Sequence, residues 1–200
     1  MIEQLNELLD FALGRNNIVR GSVPGGDLSL ATPAGLGRAF TQGLSDVDIL
    51  NFALTLEHLE NRMYQAMLAT NILTGKERQY FESFGSHEAA HVVALTDTLN
   101  SIGASPVQEQ ANYNFPPLNN RGDILNFART AEETGVGAYQ GAAAAISNKD
   151  YLAAAGSIVQ VEARHASIIR LLIGTQPVPA ATTPSLTIDE VNEVVGPILG

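Results

Sequence analysis

Glu162 and His165 lie three positions apart in the stretch SIVQVEARHASIIRLL. On a helix, that spacing puts a carboxylate and an imidazole on one face. The face is otherwise apolar, with Ile158 and Val159 a turn before and Ala166 and Ile169 after. A charged glutamate turned toward a core needs a partner, and a metal ion is a frequent one. Glu88 and His91 repeat the pattern behind Phe81 and Phe84 and ahead of Val92 and Leu95. One such pair is ordinarily a surface contact. Two at the same helical phase, each with a glutamate on an apolar stripe, are a ligand pattern.

Two more acids complete it. Glu57 follows Leu50, Ala53 and Leu54, while Glu132 follows Leu125 and Ala128 and precedes Val136. Each has a tyrosine seven residues on, Tyr64 and Tyr139, which nearly two helical turns bring to the same face. Four carboxylates buried in one small core would repel one another and be badly desolvated, and two divalent cations would neutralise them. Glu57, Glu88, His91, Glu132, Glu162 and His165 form a donor set suited to two iron or manganese ions. Sequence alone does not separate Glu88 and Glu132 into shared and unshared ligands. Tyr64 and Tyr139 are either packing residues or hydrogen-bond donors to those carboxylates. Glu60 and Glu133 lack counterparts in the repeat described next, since positions 135 and 58 hold Gly135 and His58. They are expected to face solvent or to support the ligands from outside. His58 is expected at the surface.

These residues sit in an internal repeat. Asp48-Ile-Leu-Asn-Phe-Ala53 recurs unchanged as Asp123-Ile-Leu-Asn-Phe-Ala128, and Thr55, Glu57 and Tyr64 recur in step as Thr130, Glu132 and Tyr139. Glu88-Ala-Ala-His91 corresponds to Glu162-Ala-Arg-His165. The chain therefore reads as one helical hairpin written twice, which predicts a near-symmetric pair of ions.

The elements that must carry them follow from periodicity and caps. Residues 2–13 read as a short amphipathic helix, and 14–43 as a glycine-rich wrap on the surface. Ser45 with Asp48 opens a helix to about Thr70, and a capping box from Thr74 to Glu77 opens a second to about Ile102. Pro106, Pro116 and Pro117 keep 103–119 as a long connection. Asn120 with Asp123 opens a third helix to about Ser147, and Asn148 caps a fourth to about Ile173. Pro177, Pro179 and Pro184 hold the tail extended before a short helix near Val191, opened by Thr187 and Glu190. The expected fold is all-α: a four-helix bundle over 45–174 with one long crossover, preceded by 1–44 and followed by the tail 175–200.

Composition narrows the function. The chain has no cysteine, so thiolate metal sites, iron–sulfur clusters and cysteine nucleophiles are excluded. A net charge of −10 argues against nucleic acid and anionic membrane as partners. No apolar run is long enough to span a bilayer. Glu3, Glu7 and Asp10 do not suit a secretory signal, so a cytoplasmic chain, or an exported one whose leader has been removed, is expected.

The segments LNFALTLEHLENRMY, SHEAAHVVALTDTLNSIGA, ARTAEETGVGAYQGAAAA and VEARHASIIRLLIG resemble the ferritin-like di-metal carboxylate superfamily, and within it the desiccation-related, bacterial ferritin-like domain family. The resemblance covers about Ser45 to Gly174. It implies that the same six side chains bind metal directly and that the chemistry involves dioxygen, peroxide or the metal ion itself. An oxidase, peroxidase or catalase-like scavenger is one expectation. A metal-storage protein or a structural stress protein without catalysis is the alternative. The proline-rich tail and the 14–43 wrap argue against a hollow cage, while smaller homo-oligomers stay open. His87-Glu88-Ala-Ala-His91 also spells the zinc-metalloprotease motif. The second copy has Val161 in place of the first histidine and keeps only Glu-x-x-His, which makes the protease a remote reading.

Overall fold

The computed structural model describes residues 44–200. The short helix expected at 2–13 and the wrap at 14–43 lie outside them. Five helices follow: α1 (Asp46–Ala69), α2 (Gly75–Ser101), α3 (Arg121–Ala143), α4 (Lys149–Ile173) and α5 (Ile188–Leu199). Helices α1 and α2 form one hairpin and α3 and α4 the other, each joined by a short link, with residues 102–120 crossing between them. This is the expected all-α four-helix bundle with one long crossover. None of the described helices is long and apolar enough to cross a membrane.

Local signals set most of the ends. Ser45 and Asp48 form a reciprocal capping box, as do Thr187 and Glu190. Asn120 and Asn148 each accept a backbone N–H at their helix starts. Helix α4 stops at Gly174, whose φ of 85° is a left-handed cap that glycine adopts without strain. Two expectations are corrected. Thr74 makes no side-chain cap, because Glu77 instead takes both Nε and Nη2 of Arg121 at 2.6–3.1 Å. A forked, charged pair is the stronger use of that carboxylate. Helix α3 ends four residues before Ser147, because the Asp46 carboxylate accepts the N–H groups of Ser147 and Asn148 at 2.8 Å each and draws the link toward the start of α1.

The apolar core is in two layers. Met63, Tyr64, Met67, Phe81, Phe84, Ile124, Leu125 and Ile169 fill one end of the bundle. Leu50, Leu54, Leu95, Leu99, Tyr139 and Ile158 fill the other. The acids lie between these layers, with water held off from both ends. Helix α5 lays Val191, Val195 and Ile198 on Leu56, Leu59 and Ala138, which adds a fifth helix outside the four.

The tail docks through a glycine. The N–H of Leu186 donates to the Gly137 carbonyl at 2.9 Å, and a Cβ on Gly137 would meet Leu186 Cγ at 2.5 Å. Gly137→Ala is expected to lift the tail and cost about 1–3 kcal/mol, as overpacking does. Thermal unfolding and protease sensitivity of residues 175–187 would check this, and an unchanged melting temperature would refute it.

Candidate metal centre

All four repeat glutamates are fully buried, each 0% exposed, with His165 at 2% and His91 at 9%. Each helix of the bundle contributes: Glu57 from α1, Glu88 and His91 from α2, Glu132 from α3, and Glu162 and His165 from α4. Their donor atoms converge into two groups. One holds Glu57, Glu88, His91 and Glu162; the other holds Glu88, Glu132, Glu162 and His165, with the atoms of each group within 4.8 Å of one another. Glu88 and Glu162 belong to both. The acids of the two Glu-x-x-His motifs are therefore common to both groups, while Glu57 and Glu132 each fall in one, a division that the sequence left open.

Both imidazoles turn Nδ1 inward. His91 Nδ1 lies 2.9 Å from Glu162, 3.0 Å from Glu88 and 3.1 Å from Glu57. His165 Nδ1 lies 3.0 Å from Glu88, 3.3 Å from Glu132 and 3.5 Å from Glu162. The tyrosines join the hairpins crosswise. Tyr139 donates its hydroxyl to Glu57 at 2.5 Å, and Tyr64 donates to Glu132. Both are therefore donors to the cluster as well as packing residues. Tyr64 also packs edge-on against Phe81 and Phe84, and a Cβ on Gly85 would meet Tyr64 Cβ at 3.1 Å.

Burial dominates the electrostatics. It pushes the Glu57 carboxyl up to about 8 and that of Glu132 well above the ordinary range, with neighbouring carboxylates adding to the effect. Burial also opposes charge on Glu162, but contacts from His165 and His91 outweigh it and hold its pKa at about 2. Desolvation works against charge on His91 and His165, yet the surrounding carboxylates raise both to about 12. Without a cation, the cluster balances its charge with protons.

The donor set fits a metal. Glu88 Oε1, Glu132 Oε2, both Glu162 oxygens and His165 Nδ1 are buried without a hydrogen-bond partner of sound geometry. Close approach without alignment marks lone pairs aimed at a common centre rather than at each other. A carboxylate and imidazole set with no sulfur suits a divalent metal ion.

Tyr64→Phe and Tyr139→Phe are each expected to cost about 1–3 kcal/mol, because a buried carboxylate oxygen loses its donor. Each should also weaken metal binding on its own side by roughly tenfold. Thermal melts and metal titrations of the two variants would check this, and wild-type values in both would contradict it.

Other residues differ from the sequence reading. Glu60 does not face solvent: it is 3% exposed, and burial with the four cluster carboxylates pushes its pKa well up. The space comes from α3, where a Cβ on Gly135 would meet Glu60 Oε1 at 2.9 Å. Position 135 is the repeat counterpart of position 60, so the missing acid in one copy makes room for the acid in the other. That pairing was the available signal. Glu133 is half-buried and forms an ion pair with Arg170 at 2.5 Å, away from the cluster. His58 is half-buried, its Nε2 lying 3.3 Å from the Val107 carbonyl on the crossover. His87, the first histidine of the protease-like motif, does not turn toward the carboxylates; its Nδ1 lies 2.9 Å from His165 Nε2.

A search of curated proteins returns no match. Among solved structures, the chain is similar to a conserved hypothetical protein from Mycobacterium tuberculosis. The two share 17% identity and a TM-score of 0.59, over 76% of this chain and 99% of that one, a likeness of fold. The sequence profile of the ferritin-like domain matches residues 45–175, which span all four bundle helices. The chain belongs to the ferritin-like domain family.

Proposed function

We propose that the protein binds two divalent ions, iron or manganese, at this cluster. Glu57 and His91 would hold one, Glu132 and His165 the other, and Glu88 and Glu162 both. The observation that carries this reading is the pair of four-residue donor groups sharing two buried carboxylates. The same reading takes residues 45–174 as the binding domain and 175–200 as an accessory tail.

We further propose a redox role toward dioxygen or peroxide, serving oxidative or desiccation stress. Two such ions, when bound, supply paired one-electron steps at nearly constant charge. The chain's own residues supply the rest. The apolar layers exclude water, and the Tyr64 and Tyr139 hydroxyls hold Glu132 and Glu57 in place. A second reading, in which the ions only staple the helices, is favoured by the complete burial of the four acids.

Metal analysis of the purified chain tests the shared premise. Two ions per chain are expected, and none after metal-replete expression would defeat it. Oxygen evolution from peroxide, or oxygen uptake on adding ferrous ion, supports the redox role. A fully loaded protein inert in both assays leaves the staple.

A further inference from the structure

The repeat is broken at one place that touches the cluster. His91 and His165 are counterparts and present the same inner nitrogen to the carboxylates. Their outer surroundings differ. His165 Nε2 lies 2.9 Å from Nδ1 of His87, with the two rings 7° from parallel and their centroids 5.2 Å apart. On its other side, the His165 ring rests against Phe84 at 4.3 Å between centroids. His87 is an exposed residue of α2, one turn before His91. Its counterpart in the second copy is Val161, which can neither donate nor accept. Every polar contact of His91 among the described residues is made through Nδ1.

Resting on the metal-centre reading above, we propose that His87 is a positioning residue for His165 and makes the two ion positions unequal. A neutral imidazole that coordinates through Nδ1 carries its proton on Nε2. At His165, that N–H points at His87 Nδ1, which accepts it, and the His87 proton is then on Nε2. The bond fixes the tautomer, sets the ring angle and raises the basicity of the inward nitrogen. The ring is clamped between Phe84 and His87, so little freedom is left to lose on binding. Among the described residues, His91 has no such partner. The ion held by Glu132 and His165 is accordingly the more tightly bound. The letters His-Glu-x-x-His thus arise without a protease: the first histidine supports a ligand in the opposite hairpin.

The test is a Mn2+ titration of the metal-free full chain, with His87→Val, His87→Gln and Val161→His compared with wild type. Wild type should show two separable binding steps. His87→Val, which writes the second copy's residue into the first, should weaken the tighter step by about 10–100-fold and leave the other within about twofold. His87→Gln keeps an acceptor oxygen and should recover most of that loss. Val161→His should strengthen the weaker step by offering His91 the partner it lacks. Unchanged affinities in His87→Val would overturn the inference, as would equal weakening of both steps. So would a lowered melting temperature of the metal-free variant with wild-type Mn2+ binding, the pattern of a packing role. If wild type itself binds no Mn2+, the metal-centre reading fails and the inference goes with it; the other outcomes leave that reading standing.

Discussion

Glu162→Ala is expected to abolish binding of both proposed ions at the cluster, not one. Glu162 belongs to both donor groups, with one oxygen 2.9 Å from His91 and the other 3.5 Å from His165. Glu57 and Glu132 each belong to a single group, so Glu57→Ala should remove or weaken one ion and spare the second. Loss of the shared acid also takes one carboxylate from each of the two buried imidazoles. Removing one partner of a buried charged set costs about 3–5 kcal/mol. Binding and folding are linked, so the loaded protein should lose stability along with metal. Metal content by elemental analysis and thermal unfolding of the two variants separate the cases. Two ions retained in Glu162→Ala would contradict the shared assignment.

The second large effect is a reversal of pH dependence on metal binding. In the metal-free fold, Glu57 is raised to about 8 from an ordinary 4.5. A raised group binds its proton more tightly folded than unfolded. Its stabilisation is complete below pH 4.5 and is lost as pH climbs to 8. Glu132 and Glu60, also raised by burial, act in the same direction. His91 and His165, raised from 6.5 to about 12, extend the loss above pH 6.5. Glu162 works the other way, contributing above pH 4.5 and losing its contribution as pH falls toward 2; Asp48 and His87, both lowered in the fold, act in the same direction. The metal-free chain should therefore melt at a higher temperature at pH 5 than at pH 8.

Ions compete with those protons, because a ligand must present a free lone pair. Binding at pH 7 should expel protons from His91, His165 and Glu57, and the raised Glu132 adds to the release. Metal affinity should then rise with pH, and the loaded chain should gain stability from pH 5 to pH 8. Calorimetry in buffers of different ionisation enthalpy counts the protons. Melting curves at the two pH values, with and without ions, test the reversal. Parallel trends in the two forms would contradict it.

Much of this centre was legible because its pattern is local. Periodicity placed Glu57, Glu88, Glu132 and Glu162 on apolar stripes, and the repeat supplied the matching histidines and tyrosines. Helix starts at Ser45, Asn120, Asn148 and Thr187 were readable because a cap is a contact between residues two or three apart. Where a distant group outcompeted the local one, the reading failed. Arg121 took Glu77 from its cap, and Asp46 shortened α3. For Glu60 the sequence left solvent and a supporting role both open, because its burial depends on Gly135 across the bundle.

The amino-acid order by itself determined the bundle, the family and the burial of four glutamates and two histidines on apolar stripes, since helical phase and repetition are properties of the chain. Only tertiary structure decided that Glu88 and Glu162 are shared, that each tyrosine serves the opposite hairpin, and that His87 stands behind His165. Those relations join residues 68 to 82 positions apart. Such contacts depend on how the hairpins cross, which no spacing within a single helix specifies.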